Sequence, residues 1–150
     1  MFSVVIPAHN QFEALQSLLS DLAPAAVDGL IREVLIADGG SNDPTAVFCE
    51  DAGVDLVQGG LVAAAQRAKS AWLLVLPANF RVNNERLKAL KAFSAGHLAP
   101  IRYAGAKPHG FLTRRAIGLL MARSDLIAMD ETRDLTFLLK RFARTARKTL

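Results

Sequence analysis

The chain has 150 residues, of which 51% are hydrophobic, so it can bury the core of a single domain and is too apolar to be disordered. Its apolar runs fall far short of the roughly 20 residues of a membrane span. Its single cysteine, Cys49, rules out an internal disulfide or a thiolate metal site. The opening Met1-Phe2-Ser3-Val4-Val5-Ile6-Pro7 lacks the basic region of a signal peptide, so a cytoplasmic protein is expected. The net charge of +4 is uneven. From Arg133 onward, Arg133, Lys140, Arg141, Arg144, Arg147 and Lys148 face the single acid Asp134, a local net of +5. Such an end is either a solvated helix face or a contact for anionic lipid, phosphate or nucleic acid; no nucleic acid is expected as a partner, and a lipid contact would make the protein membrane-peripheral.

In chain order, Phe2–Ile6 reads as a first strand ended by Pro7. Phe12, Leu15, Leu18, Leu19 and Leu22 recur at helical spacing, predicting a helix from Gln11 to Ala23 that Pro24 and Asp28-Gly29 stop. Glu33–Ala37 is a second strand, followed at once by Asp38 and the turn Gly39-Gly40-Ser41-Asn42-Asp43. Asp43 suits a cap and Pro44 the first turn of a helix running to Ala52, with Gly53 as its stop. Val54–Val57 is a third strand, and Gly59-Gly60 leads into an alanine-rich helix ending near Ser70.

Ala71–Leu76 is a fourth and very apolar strand, stopped by Pro77. Asn83 or Asn84 caps a helix carrying Leu87, Leu90 and Phe93, with Gly96 past its end. Ile101–Ala104 reads as a fifth strand, Phe111–Thr113 as a further extended piece, and Ala116–Met121 as helical. Asp130 is expected to begin the last helix, whose stripe of Leu135, Leu138, Leu139 and Phe142 suits a core or a homodimer contact better than a membrane anchor. Strands alternating with helices predict an α/β three-layer sandwich with a mostly parallel central sheet. In such a sheet ligands sit beyond the carboxyl ends of the strands, where Asp38 lies, although an aspartate there also serves simply to cap its own turn. The G-x-G-x-x-G and G-x-x-x-x-G-K-[ST] phosphate loops are both missing.

Four stretches in order resemble the family-2 glycosyltransferases of the GT-A fold. Ser3-Val4-Val5-Ile6-Pro7-Ala8-His9-Asn10 is similar to their opening SVVIPxxNE, and Glu33–Asp43 to their EIIVVDGGSTD. Gly110-Phe111-Leu112-Thr113-Arg114-Arg115 resembles G-x-F-x-R-R, and Met129-Asp130-Glu131 with Asp134-Leu135 resembles MEDVDL with one residue inserted. The resemblance implies a single GT-A-like domain over 1–150, with a nucleotide-binding half (1–80) and a reduced acceptor half with a basic C-terminal helix (81–150). It implies transfer of a sugar from a nucleotide-diphospho-sugar to an unknown acceptor, with Pro7, Ala8, Asn10, Asp38, Gly39, Gly40 and Ser41 holding the nucleotide. Asp130 or Glu131 would be the general base, though acids there also cap helix starts.

The chain departs from that pattern where Ala71–Asn79 takes the place of the strand that ends in D-x-D or H-A-D. Asn79 stands at the position of the aspartate that holds Mg²⁺ or Mn²⁺, so the cation the family implies has lost its usual ligand, and no metal-binding residue is expected. Arg81, Arg114, Arg115 or the basic end would then have to supply positive charge to the leaving diphosphate. The alternative from a different class is a catalytically silent GT-A-like module that binds a nucleotide or a protein partner.

Overall fold

The computed structural model describes residues 1–94, 100–107 and 114–143. Among them the order is β1 (Phe2–Ala8), α1 (Phe12–Val27), β2 (Ile31–Asp38), α2 (Thr45–Asp51), β3 (Asp55–Gln58), α3 (Leu61–Arg67), β4 (Trp72–Val75), α4 (Asn84–Ser94), β5 (Ile101–Ala104), β6 (Ile117–Ala122), α5 (Arg123–Ile127) and α6 (Leu135–Arg141). The strands form one sheet in the order β3-β2-β1-β4-β6-β5. β1 is parallel to β2 and β4, and β2 to β3, whereas β6 runs antiparallel to both β4 and β5. The sheet is therefore mostly parallel, as expected.

Two apolar cores make the outer layers. On one face Leu15, Leu18 and Leu22 of α1 pack with Cys49 of α2 and with Leu87 and Leu90 of α4. On the other, Leu61, Val62, Ala64 and Ala65 of α3 pack with Leu126 of α5 and Leu138 of α6. The central strands read as continuous apolar runs because both of their faces are covered. Burying each large aliphatic side chain stabilises by about 1.5–3 kcal/mol.

Of the prolines expected to stop elements, Pro77 follows the end of β4, whereas Pro7 and Pro24 stop nothing. Pro7 lies inside β1, opposite Ala37. Val5 directs its carbonyl to Leu76 N–H on the β4 side, so Pro7, two residues on, directs its missing N–H the same way, past the last β1–β4 pair, Val5↔Val75. Pro24 sits in the last turn of α1. That helix ends one turn later, where Gly29 (φ 71°) and Leu30 return N–H bonds to Ala26 and Ala25.

Two larger corrections concern the second half. Ala116–Met121, read as helical, instead leads into strand β6 (Ile117–Ala122), which lies between β4 and β5. An unbroken apolar run fits either a buried helix or a buried strand, and here the free edges of β4 and β5 decide for the strand. Asp130 does not begin the final helix. Asp134 does, its Oδ1 accepting Phe137 N–H at 2.8 Å. The helix α5 was not anticipated. Arg123 at its start reaches back to cap α3, donating to the carbonyls of Ala65 (2.8 Å) and Gln66 (3.1 Å). The expected stop at Gly96, the extended piece Phe111–Thr113, and Arg144, Arg147 and Lys148 lie outside the described residues.

Buried polar bonds tie the sheet to its surroundings. The Ser3 hydroxyl donates to Glu33 (2.5 Å) and accepts from Ser70 N–H (3.1 Å), joining β1, β2 and the approach to β4. The Tyr103 hydroxyl donates to the Asn83 carbonyl (2.9 Å), fixing the start of α4 to β5, and burial pushes its pKa up to about 12. No helix among the described residues is long and apolar enough to cross a membrane.

Candidate functional site

The strand order reverses at β1. The chain first builds β2 and β3 on one side and then crosses to place β4 on the other. The carboxyl ends of β1, β2 and β4 thus surround a topological switch point, where an open α/β sheet leaves a crevice. Two clefts meet there. The first, about 350 Å³, is lined by Pro7, Ala8 and His9 from β1 and its turn, Gly39, Gly60 and Glu131 among others. The second, about 500 Å³, is lined by Pro7, Pro77, Asn79, Arg114, Arg115 and Asp134 among others. Pro7 and Asp134 border both.

The register Ala8↔Asp38 sets the two turns side by side, and Gly39 N–H donates to the Ala8 carbonyl at 2.9 Å. Beyond that bond the turns are knotted together. Asn10 N–H donates to the Ser41 hydroxyl (3.0 Å), and Asn42 N–H donates to Asn10 Oδ1 (2.7 Å). Asn10 itself takes a left-handed conformation (φ 50°), which asparagine tolerates better than most residues. Asp43 extends the knot by accepting Phe12 N–H at 3.1 Å, so the start of α1 hangs from the turn after β2.

Asp38 lies at the centre of this knot and is buried. Its carboxylate accepts the Ser41 hydroxyl (2.5 Å), the Ser41 N–H (3.2 Å) and the Gln58 amide (3.2 Å). Burial alone would raise its pKa. The bonds from the Ser41 hydroxyl and N–H, Gln58 and the Gly40 N–H outweigh burial and hold the carboxyl below its ordinary range. Turn-capping, the plainer of the two expectations for this residue, is therefore present in full.

Of the seven residues expected to hold a nucleotide, Pro7, Ala8 and Gly39 line the first cleft, while Asn10, Asp38, Gly40 and Ser41 build the turn beside it. Of the two candidate bases, Glu131 lines the cleft. Its carbonyl approaches Gly60 so closely that a Cβ there would sit 3.1 Å from it. Asp130 is committed to its own turn, accepting Thr132 N–H (2.9 Å) and hydroxyl (3.0 Å), and these bonds lower its pKa.

Asp134 belongs to the MEDVDL-like stretch, but its residue type and spacing there assign it no role. It stands between the two clefts because the turn holding Asp130 and Glu131 places the start of α6 there. The loop Gly59-Gly60 and His9 were not assigned to the site either, although Gly60 and His9 line the first cleft. Arg81 is drawn away to Asp21 in an ion pair of 3.0 Å.

A hard dication fits these residues poorly. Beside the neutral Asn79 the second cleft has one carboxylate, Asp134, already partly used by Phe137 N–H, and two guanidinium groups. Among the described residues no group of three or more His, Cys, Asp or Glu is placed to hold a metal ion. A third cavity, about 520 Å³, lies at the opposite end of β2 between α1 and α2, away from the switch point.

No family model matches the chain, and no curated protein is similar to it in sequence. Solved structures are similar in fold. The chain shares 24% identity with S. aureus TarS 1–349 at a TM-score of 0.59, covering 75% of this chain and 38% of that one. A glucosyl-3-phosphoglycerate synthase from Mycobacterium tuberculosis, solved with Mn²⁺, UDP and glucosyl-3-phosphoglycerate, is 16% identical at a TM-score of 0.68, over 97% of this chain and 66% of that one. A mycobacterial protein is 16% identical at 0.71, over 96% and 62%. The chain thus spans between about two fifths and two thirds of the length of these neighbours. At such identities the likeness is one of architecture: the six-stranded, mostly parallel sheet with helices on both faces is the GT-A glycosyltransferase fold.

Proposed function

We propose that the chain is a glycosyltransferase domain that binds a nucleotide-diphospho-sugar at the switch point and passes the sugar to an acceptor hydroxyl. The observation that carries this reading is the pair of adjoining clefts at the carboxyl ends of β1, β2 and β4, in a fold shared with a synthase solved with UDP. The base and ribose would occupy the first cleft along Pro7, Ala8 and Gly39. The Gln58 amide N–H already donates to Asp38, as a ring N–H of uracil would. A uracil base would then use the remaining acceptor capacity of Asp38 or displace that amide. Glu131 would be the general base, since Asp130 is spent on Thr132 and Glu131 lines the first cleft. A divalent cation is not assigned, because the donor set does not suit one.

A second reading, a nucleotide-binding module without turnover, is favoured by one observation: three acids at the site, Asp38, Asp130 and Asp134, all serve as turn or helix caps. Calorimetric titration with UDP and UDP-glucose, joined to assay of UDP release from UDP-glucose, separates the two. The transferase reading expects micromolar binding that Asp38→Ala abolishes, and turnover that Glu131→Gln removes while binding persists. Binding without turnover under any acceptor tried selects the module. No binding of either ligand by folded protein refutes both.

A further inference from the structure

The second cleft differs in charge from one built around a metal ion. Arg114 and Arg115 line it, both exposed, and among the described residues neither is held in an ion pair. Asn79, opposite, brings no charge. Asp134 brings one negative charge, and its Oδ1 is turned into the first turn of α6. Two positive charges against one negative repel a dication and attract an anion. Guanidinium groups suit phosphate in particular, because their paired N–H donors match two phosphate oxygens at once. The other cation within the strand-four region, Arg81, is neutralised by Asp21 and packs against α1. Pro7 and Asp134 border both clefts, which therefore adjoin, so a ligand lying along β1 in the first could extend a phosphate end into the second.

We infer that Arg114 and Arg115 hold the diphosphate of the donor directly, in place of a divalent cation. This rests on the nucleotide-donor reading above. The role is electrostatic. The two guanidinium groups neutralise the bound diphosphate and would stabilise the charge that grows on it as the sugar bond breaks.

The test is calorimetric titration of UDP, inorganic pyrophosphate and uridine into the whole chain, in EDTA and in Mn²⁺. It compares wild type, Arg114→Ala/Arg115→Ala and Asn79→Asp. The two arginines are exposed, so the double variant should fold, and its thermal transition checks this. Expected are UDP and pyrophosphate binding in EDTA, changed less than about threefold by Mn²⁺. In the double variant both ligands should weaken by about 30-fold or more while uridine is unaffected. Asn79→Asp should weaken UDP in EDTA and make its binding respond to Mn²⁺. Wild-type UDP binding that appears only with Mn²⁺, or a double variant that binds UDP like wild type, overturns the inference and leaves the nucleotide reading standing. Failure of UDP, pyrophosphate and uridine alike overturns both.

Discussion

Three aspartates at the carboxyl ends of the strands carry the clearest electrostatic signature in the molecule. Asp38, Asp43 and Asp130 each have a pKa below the ordinary 3.8. Asp38 is held down against burial by Ser41, Gln58 and Gly40, Asp43 chiefly by the Thr45 hydroxyl, and Asp130 by Thr132. A carboxyl whose folded pKa is depressed favours the folded state above its unfolded pKa. That contribution fades as pH falls through the two values. Stability should therefore be level above about pH 5 and decline below about pH 4. Urea midpoints measured from pH 3 to 7 check this, and a midpoint that stays flat or rises on acidification contradicts it. Asp38→Ala should shift the midpoint at pH 7 as well, because the Ser41 and Gln58 donors lose a buried acceptor worth about 1–3 kcal/mol. Its effect on nucleotide binding must be read against that loss of stability.

Among the elements, β6 decides the shape of the second cleft. It pairs with β4 from Trp72↔Ala122 to Val75↔Leu119, and its entry carries Arg114 and Arg115 to the cleft opposite Asn79. The close fit is visible at Gly118, where an added Cβ would collide with Leu76 Cδ2 and stand 2.9 Å from the Val75 carbonyl. Gly118→Ala should thus destabilise by about 1–3 kcal/mol through overpacking. Because the strain falls where β4 ends, UDP affinity should drop with it. Thermal unfolding with parallel UDP titration measures both, and an unchanged transition temperature contradicts the packing argument. A helix over Ala116–Met121 would leave unpaired the β4 edge that β6 covers.

For the whole molecule, the switch-point site lies between two separately packed cores, and its walls come from both halves of the chain. Pro7, Ala8 and Gly39 belong to the first half, and Glu131 and Asp134 to the second. A ligand bridging them stabilises the folded state by mass action. UDP at 100 times its Kd should add about 2.7 kcal/mol, a rise of about 5 to 10 °C for a chain of 150 residues. A thermal shift series with UDP checks this, with UMP and uridine ranking the contributions of diphosphate and base. If uridine alone gives the full shift, the arginine cleft contributes nothing.

Local chemistry made much of the first half legible. The apolar runs of β1 and β2, the helical spacing of Leu15, Leu18 and Leu22, and the turn Asp38–Asp43 each carry their own signal, and all form close to where the residues place them. The sequence alone determined the mostly parallel α/β class and pointed to the carboxyl ends of the strands with candidate residues there, while the switch point at β1 came from the strand order. Tertiary structure decided what no local signal contains. Partners across the sheet turned Ile117–Met121 into a strand, and the absence of a β4 partner beside Pro7 let it stay within β1. Asp134, four residues past Asp130, took the helix-capping role and the place between the clefts. Whether Asp38 reads a ligand or holds a turn, and which arginines share a cleft with Asn79, depend on side chains far apart in sequence. Those contacts exist only once the two halves have closed on one sheet.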